Sequence, residues 1–222
     1  MDEFLHDISS ATSSDYKKVS IKEDWRQFAP VEEKDLTQYL SKVTGHGWFY
    51  SAYNSFTDFR NSYQKEHKHP PFVTEVVRWY WDLGKCVTDA QYNEIMRRLD
   101  VFRTWFIEFY MSTDSETIVA LHLDKVQPKY RDQYPGNTNP EIPGLRSTHL
   151  APILGGPELA IPISEISYES RITGKLEKLP LVVSLLGAPG TDLDLLQWSQ
   201  TSLEKSGRPT KVFTGRSAFY KE

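Results

Sequence analysis

The sequence predicts an α+β fold, with an N-terminal helical half followed by a small mixed β-sheet with one further helix. Up to residue 111, apolar residues recur at steps of three and four, as on one face of a helix. After residue 112 the period changes, and segments rich in β-branched and aromatic residues alternate with turns. Because the predicted helices and strands are segregated along the chain, an α+β fold is favoured over a doubly wound one.

Composition excludes several classes of protein. The chain has 222 residues with 39% hydrophobic and 25% charged side chains, which is typical of a folded domain and not of a disordered chain. The formal net charge is −4 and no basic arm is visible, so direct nucleic-acid binding by such an arm is not expected. Cys86 is the only cysteine, which excludes an intramolecular disulfide and fits a reducing compartment. No stretch approaches the roughly 18 apolar residues of a membrane span.

Three regions are predicted within one compact domain: an N-terminal arm (1–29), a helical half (30–111) and a β-rich half (112–222). The arm contains a serine-rich run, but Phe4, Trp25 and Phe28 interrupt its polarity. These aromatic residues indicate that the arm docks, either on its own domain or on a neighbour. A partly ordered terminus is the alternative interpretation.

Four helices are predicted in the helical half, at about residues 30–45, 49–63, 73–84 and 88–111. Thr88 and Gln91 have the spacing of a capping box at the start of the last one. Its final residues, 99–111, are apolar all round and are expected to be central to this half. The second helix carries an aromatic stripe, which we interpret as core, with a docking groove for a partner as the alternative.

The β-rich half is predicted to contain strands at residues 117–123, 159–168, 179–186 and 211–220, with a helix at 191–207. Pro162 should make the second strand an edge strand or a bent one, because proline donates no backbone hydrogen bond. Between the first two strands, residues 124–157 are rich in proline and glycine. Their apolar residues predict an ordered, extended loop that packs on something.

The sharpest chemical pattern is His122 with Asp124, followed by His149. On a strand, His122 and Asp124 would point to one face. Two histidines and one carboxylate can hold Fe(II) while leaving positions open for oxygen. The pattern is similar to the metal-binding pattern of the 2-oxoglutarate-dependent oxygenases, although residues 150–160 lack the arginine of that family. The alternative is a strand histidine beside an exposed aspartate.

Two further features have simpler interpretations. His67 and His69 form a second histidine pair just before two prolines, and a metal there would need ligands brought in by the fold. We expect these two histidines to be solvated. The turn at 187–190 precedes a helix start, where an anion could bind, but a plain turn is favoured.

Two functions remain open. The first is a non-enzymatic structural or assembly protein without a cofactor, a subunit of a homo- or hetero-oligomeric particle or shell, such as a viral coat or coat-associated protein. Such a chain would be intracellular, in the cytoplasm or a virion, and would bind protein partners through aromatic residues, namely Phe4, Trp25, Phe28, Tyr130 and Tyr134. The second is a metal-dependent, Fe(II) oxygenase-like enzyme using His122, Asp124 and His149.

Overall fold

The computed structural model describes residues 1–111, 117–123, 125–133, 142, 144–213 and 217–219. The chain divides into two compact units. Unit 1 comprises Met1–Val19, Phe106–Asp132 and Ser147–Glu222, and unit 2 comprises Ser20–Trp105 and Gln133–Arg146. Residues 1–29, predicted as one arm, are therefore shared between the two units.

The fold class is α+β, as predicted from the sequence. The elements in chain order are α1 (Asp2–Thr12), α2 (Ile21–Phe28), α3 (Leu36–Tyr39), a π-helical turn (Val43–Trp48), α4 (Phe49–Ser55), α5 (Thr57–His67), α6 (Glu75–Lys85), α7 (Asp89–Tyr110), β1 (Val119–His122), a 3-10 turn (Ser147–His149), α8 (Leu150–Leu154), β2 (Glu158–Glu169), β3 (Leu176–Leu186) and α9 (Asp192–Lys205).

The sheet belongs to unit 1 and has the strand order β1-β3-β2. Both pairings between the described strands are antiparallel, so the sheet is antiparallel and not mixed as predicted. A short connection joins β2 to β3, and a hairpin of this kind can only pair strands in opposite directions. The prediction for Pro162 is confirmed, because β2 is an edge strand whose register shifts between Pro162 and Ser164.

Helix α1 is part of the core of unit 1. Phe4 and Ile8 of this helix pack with side chains from the sheet and from α9, namely Ile161, Val183, Leu185, Leu195 and Leu203. An ion pair strengthens the contact, since the Arg208 guanidinium lies 2.6 Å from the Asp7 carboxylate and also donates to the Ile163 carbonyl. The N-terminal helix therefore docks on its own chain.

The strand predicted for residues 211–220 does not form in the described parts of that segment, 211–213 and 217–219. Instead the Phe213 amide donates to the Ala218 carbonyl at 2.9 Å. The Glu165 carboxylate accepts from the amides of Ala218 and Phe219, so a side chain of β2 occupies donors that a sheet partner would need. This is the physical reason for the difference.

Trp25 organises the core of unit 2. Its ring lies 5.1 Å from that of Tyr39, 5.8 Å from Phe102 and 5.0 Å from Trp105, measured between centroids. The indole N–H donates to the Glu33 carbonyl at 3.1 Å, so that the polar edge of this buried residue is satisfied.

The helix predicted for residues 30–45 is shorter than expected. Asp35 caps α3 by accepting from the amides of Thr37 and Gln38, so the helix begins at Leu36 instead of near Pro30. The next turn is π-helical, which the sequence periodicity does not predict. By contrast the capping box is confirmed, because Gln91 N donates to Thr88 Oγ1 and Thr88 N donates to Gln91 Oε1.

Among the described residues, no helix combines the length and the apolar character needed to cross a membrane.

Candidate association surface

In two helices of unit 2, α5 and α6, none of the large apolar side chains is buried. Helix α5 has 11 residues, all described, and none of them is buried. Within α6, which is also described over its whole length, Gly84 alone is buried although the helix carries Trp79, Tyr80 and Trp81. Large aromatic side chains on a helix of a globular protein usually lie against a core. Here all three aromatic side chains of α6 are only partly buried.

We define the aromatic surface as Phe56, Phe59, Tyr63 and Trp81. The ring of Phe56 lies 6.2 Å from that of Trp81, and the ring of Phe59 lies 5.9 Å from that of Tyr63. Phe56 is 51% exposed and Phe59 is 49% exposed. Steps of three and four residues place Phe56, Phe59 and Tyr63 on one side of the chain, which is the stripe visible in the sequence.

Arg60 packs between the helices that carry the aromatic surface. Its guanidinium carbon lies 4.0 Å from the ring centroid of Tyr53 and 4.8 Å from that of Trp81, so the cation is stacked between α4 and α6. Its Nη2 also donates to the Thr57 hydroxyl at 3.0 Å. These contacts attach α5, which carries Phe59, to α4 and α6.

The inner side of α6 is occupied by α4. The ring of Phe49 stacks on Tyr80 at 4.8 Å and meets the edge of Trp79 at 5.2 Å. These contacts leave Trp81 to face α5. The stripe predicted as core is consequently only half covered, and the alternative interpretation of a docking face for a partner remains a proposal.

The other residues predicted to bind partners have different surroundings. Phe4 and Trp25 are buried in their own units, which is the docking of the arm on its own domain that the sequence left open. Phe28 is about half exposed on the last turn of α2. Tyr134 lies outside the described residues.

Tyr130 anchors part of the proline-rich loop within unit 1. The Arg171 guanidinium lies 4.3 Å from the Tyr130 ring centroid, and the Arg171 amide donates to the Tyr130 hydroxyl. Arg171 also forms an ion pair with Asp132. The loop around Tyr130 is therefore attached to the turn between β2 and β3.

The proposed metal ligands are described in part. His122 is exposed at the end of β1, and the Ser147 hydroxyl donates to its carbonyl at 3.1 Å, so the turn that carries His149 lies beside His122. Asp124 lies outside the described residues. Within the described part of the chain, no three histidine, cysteine, aspartate or glutamate side chains are arranged to hold a metal ion.

The turn before α9 is unfavourable for an anion. The Thr191 hydroxyl donates to the Ala188 carbonyl at 2.7 Å, and Asp192 and Asp194 stand in the first turn of the helix. Carboxylates at a helix N-terminus already complement its partial positive charge. The geometry therefore supports the plain turn favoured by the sequence.

No family model matches the chain, and no curated protein or solved structure matches it either.

Proposed function

We propose that this chain is a non-enzymatic assembly subunit that associates with copies of itself through the aromatic surface. One observation carries the proposal: α5 buries none of its 11 residues, all of them described, while Phe56 and Phe59 stand half exposed and Arg60 attaches α5 to α6. Contiguous exposed apolar patches of several hundred Å² mark interaction sites in soluble proteins, and the proposal is that these side chains form such a patch.

The energy available is of the right size for reversible association. A half-exposed phenylalanine offers on the order of 100 Å² of further burial, or about 2.5 kcal/mol at roughly 25 cal/mol per Å². Phe56 and Phe59 from two copies would together contribute about 10 kcal/mol, which is within the range of roughly 4–15 kcal/mol that association costs. Burial of Tyr63 and Trp81 would add the net favourable free energy of association. Because Phe56 and Phe59 supply most of the buried area, removing them should abolish the association.

A second copy of the chain is the occupant that fits this surface best. A two-fold symmetric contact places the same patch on both partners, so aromatic rings meet aromatic rings. The charges on α5 are of mixed sign, with Asp58 in its first turn and Lys65 in its last, and two copies therefore bring no uniform like-charge repulsion.

The test is the molar mass of the intact chain by light scattering, over concentrations from about 1 to 100 µM. We expect the mass to rise above that of a monomer, and the Phe56→Ser/Phe59→Ser variant to remain monomeric. Ile172→Ser is the matched control, since Ile172 is 66% exposed on the turn between β2 and β3 in unit 1. A wild-type chain that stays monomeric throughout, or equal effects of both variants, contradicts the proposal.

One observation favours a second candidate function, metal-dependent catalysis with His122, Asp124 and His149 as ligands. The bond between the Ser147 hydroxyl and the His122 carbonyl supports an approach of the two histidine segments. Elemental analysis of protein purified without chelator tests this candidate. Bound iron that is lost in His122→Ala supports it, and protein without a transition metal contradicts it.

A further inference from the structure

The end of α5 brings two imidazole rings together. The helix ends at His67, and Lys68 follows with a φ of +61°, in the left-handed region. Ser13 and Lys68 are the only non-glycine residues with positive φ in the described part of the chain. The left-handed conformation is disfavoured for a lysine, and such strained residues are concentrated at functional sites. It turns the chain so that the ring centroids of His67 and His69 lie 6.1 Å apart.

Both rings are positioned by their neighbours. The ring of Tyr63 lies 4.3 Å from that of His67 and 5.6 Å from that of His69. Nδ1 of His69 lies 3.0 Å from the Pro70 carbonyl oxygen. A carbonyl oxygen can only accept, so this nitrogen carries the proton and Nε2 of a neutral ring has a free lone pair. A backbone carbonyl on one ring nitrogen is the arrangement that commonly orients a histidine whose other nitrogen binds a metal.

The separation of the rings suits a zinc ion after a small adjustment. Two imidazoles on one tetrahedral zinc, with Zn–N distances near 2.0–2.1 Å, place their centroids about 5 Å apart. The observed separation is longer by about 1 Å, which rotation of two exposed side chains can close.

The charges beside the pair are compatible with a cation. The Lys68 ammonium donates to the Lys65 carbonyl at 2.8 Å, and is therefore held at the helix end. The Glu66 carboxylate lies 3.9 Å from Nε2 of His67 and supplies a negative charge next to the pair.

One chain provides only half of a zinc site here. The described residues contain no group of three side chains able to hold a metal ion, whereas structural zinc usually has four protein ligands. The pair directly follows the helix that carries Phe59 and Tyr63. We infer that His67 and His69 from two copies of the chain together bind one zinc ion and lock the self-association on which this inference rests.

The test is a titration of the intact, metal-free chain with zinc chloride, followed by calorimetry and by light scattering on the same samples. We expect one zinc ion per two chains, together with a rise in molar mass. His67→Ala and His69→Ala should each weaken zinc binding at least ten-fold. His6→Ala, which removes an exposed histidine of α1 in unit 1, is the control and should change neither quantity.

Three results would overturn the inference: one zinc per chain without a change in mass, no binding at all, or unchanged affinity in both histidine variants. Its failure can be distinguished from failure of the proposed function. Association in the presence of chelator that depends on Phe56 and Phe59 supports the function whether or not zinc binds. Zinc-driven assembly that does not depend on Phe56 and Phe59 contradicts the proposed function but still supports the zinc site.

Discussion

The backbone of Gly84 lies directly against the backbone of Phe49. A methyl group at Gly84 would stand 2.1 Å from the Phe49 carbonyl oxygen and 3.0 Å from Cβ of Tyr53. The first atom belongs to the main chain of α4 and cannot move aside as a flexible side chain could. The close approach of α4 and α6 therefore requires a residue without a side chain at this position.

We expect Gly84→Ala to lower the free energy of unfolding by about 3 kcal/mol or more, because overpacking here must push two helices apart. Denaturant unfolding followed by circular dichroism measures the loss. Gly47→Ala is the control, since its new methyl group would meet only the Ile95 side chain at 3.8 Å, an ordinary contact. Equal stability of the two variants would show that α4 and α6 do not approach as described.

Phe4→Ala should destabilise unit 1, because Phe4 is buried among side chains of the sheet and α9. Deleting a buried phenylalanine ring costs about 3–5 kcal/mol. Thermal unfolding of the variant, with the exposed His6→Ala as its control, measures the effect. If α1 docks on its own chain, the loss is the same at low and high protein concentration. A loss that shrinks on dilution would indicate that α1 docks on a neighbouring copy, because dilution would then dissociate the contact in wild type as well.

Glu94 predicts a specific pH dependence of stability. Its carboxylate accepts from Nε of Arg97 at 3.0 Å and from Nε of Arg98 at 2.8 Å, and these two partners lower the pKa of Glu94 from 4.5 to about 2. A carboxyl whose pKa is lower in the folded state stabilises the fold above its unfolded pKa. This contribution is present at neutral pH and is lost as the pH falls from about 4.5 towards 2.

The measurement is the difference in melting temperature between wild type and Glu94→Gln as a function of pH. We expect wild type to be the more stable at neutral pH and the difference to shrink below about pH 4.5. Glu108→Gln, at an exposed position of the same helix, is the control. The prediction fails if both variants show the same dependence on pH.

Ser199→Ala should stabilise the chain. Ser199 is 3% exposed on α9, and its hydroxyl has no hydrogen-bond partner among the described residues. Removing an unsatisfied buried hydroxyl is expected to raise the free energy of unfolding by about 1 kcal/mol. Ser206→Ala is the matched control and should lower the free energy of unfolding, because the Ser206 hydroxyl donates to the Ser202 carbonyl at 2.8 Å. Urea unfolding measures the free energy of unfolding of both variants. Destabilisation by Ser199→Ala would contradict a buried Ser199 hydroxyl without a hydrogen-bond partner.

Local signals in the sequence predicted much of the fold. The capping box at Thr88 and the edge position of Pro162 depend on side-chain chemistry within a few residues, and both are confirmed. The strand expected at residues 211–220 depended on propensity alone. It was wrong in the described parts, since Glu165, distant in sequence, accepts from the amides of Ala218 and Phe219.

The candidate surface was predictable only in part. Spacing identified the aromatic stripe at residues 49–63, but spacing is the same for a buried and an exposed face. The exposure of Phe59 depends on how α5 packs against α4 and α6, which is a tertiary property. Similarly, the sequence identifies His67 and His69, whereas the left-handed Lys68 that brings their rings together could not be read from it.

The edges of the sheet restrict how copies of this chain can polymerise. At one edge β1 has only four residues, and at the other the ladder of β2 is interrupted at Pro162. Where β3 extends beyond its pairing with β1, Pro180 removes another backbone donor. Edges this short or broken are poor templates for strand addition, a common route to amyloid-like fibres. Strand addition at either edge of this sheet is therefore a disfavoured route to polymers of the chain.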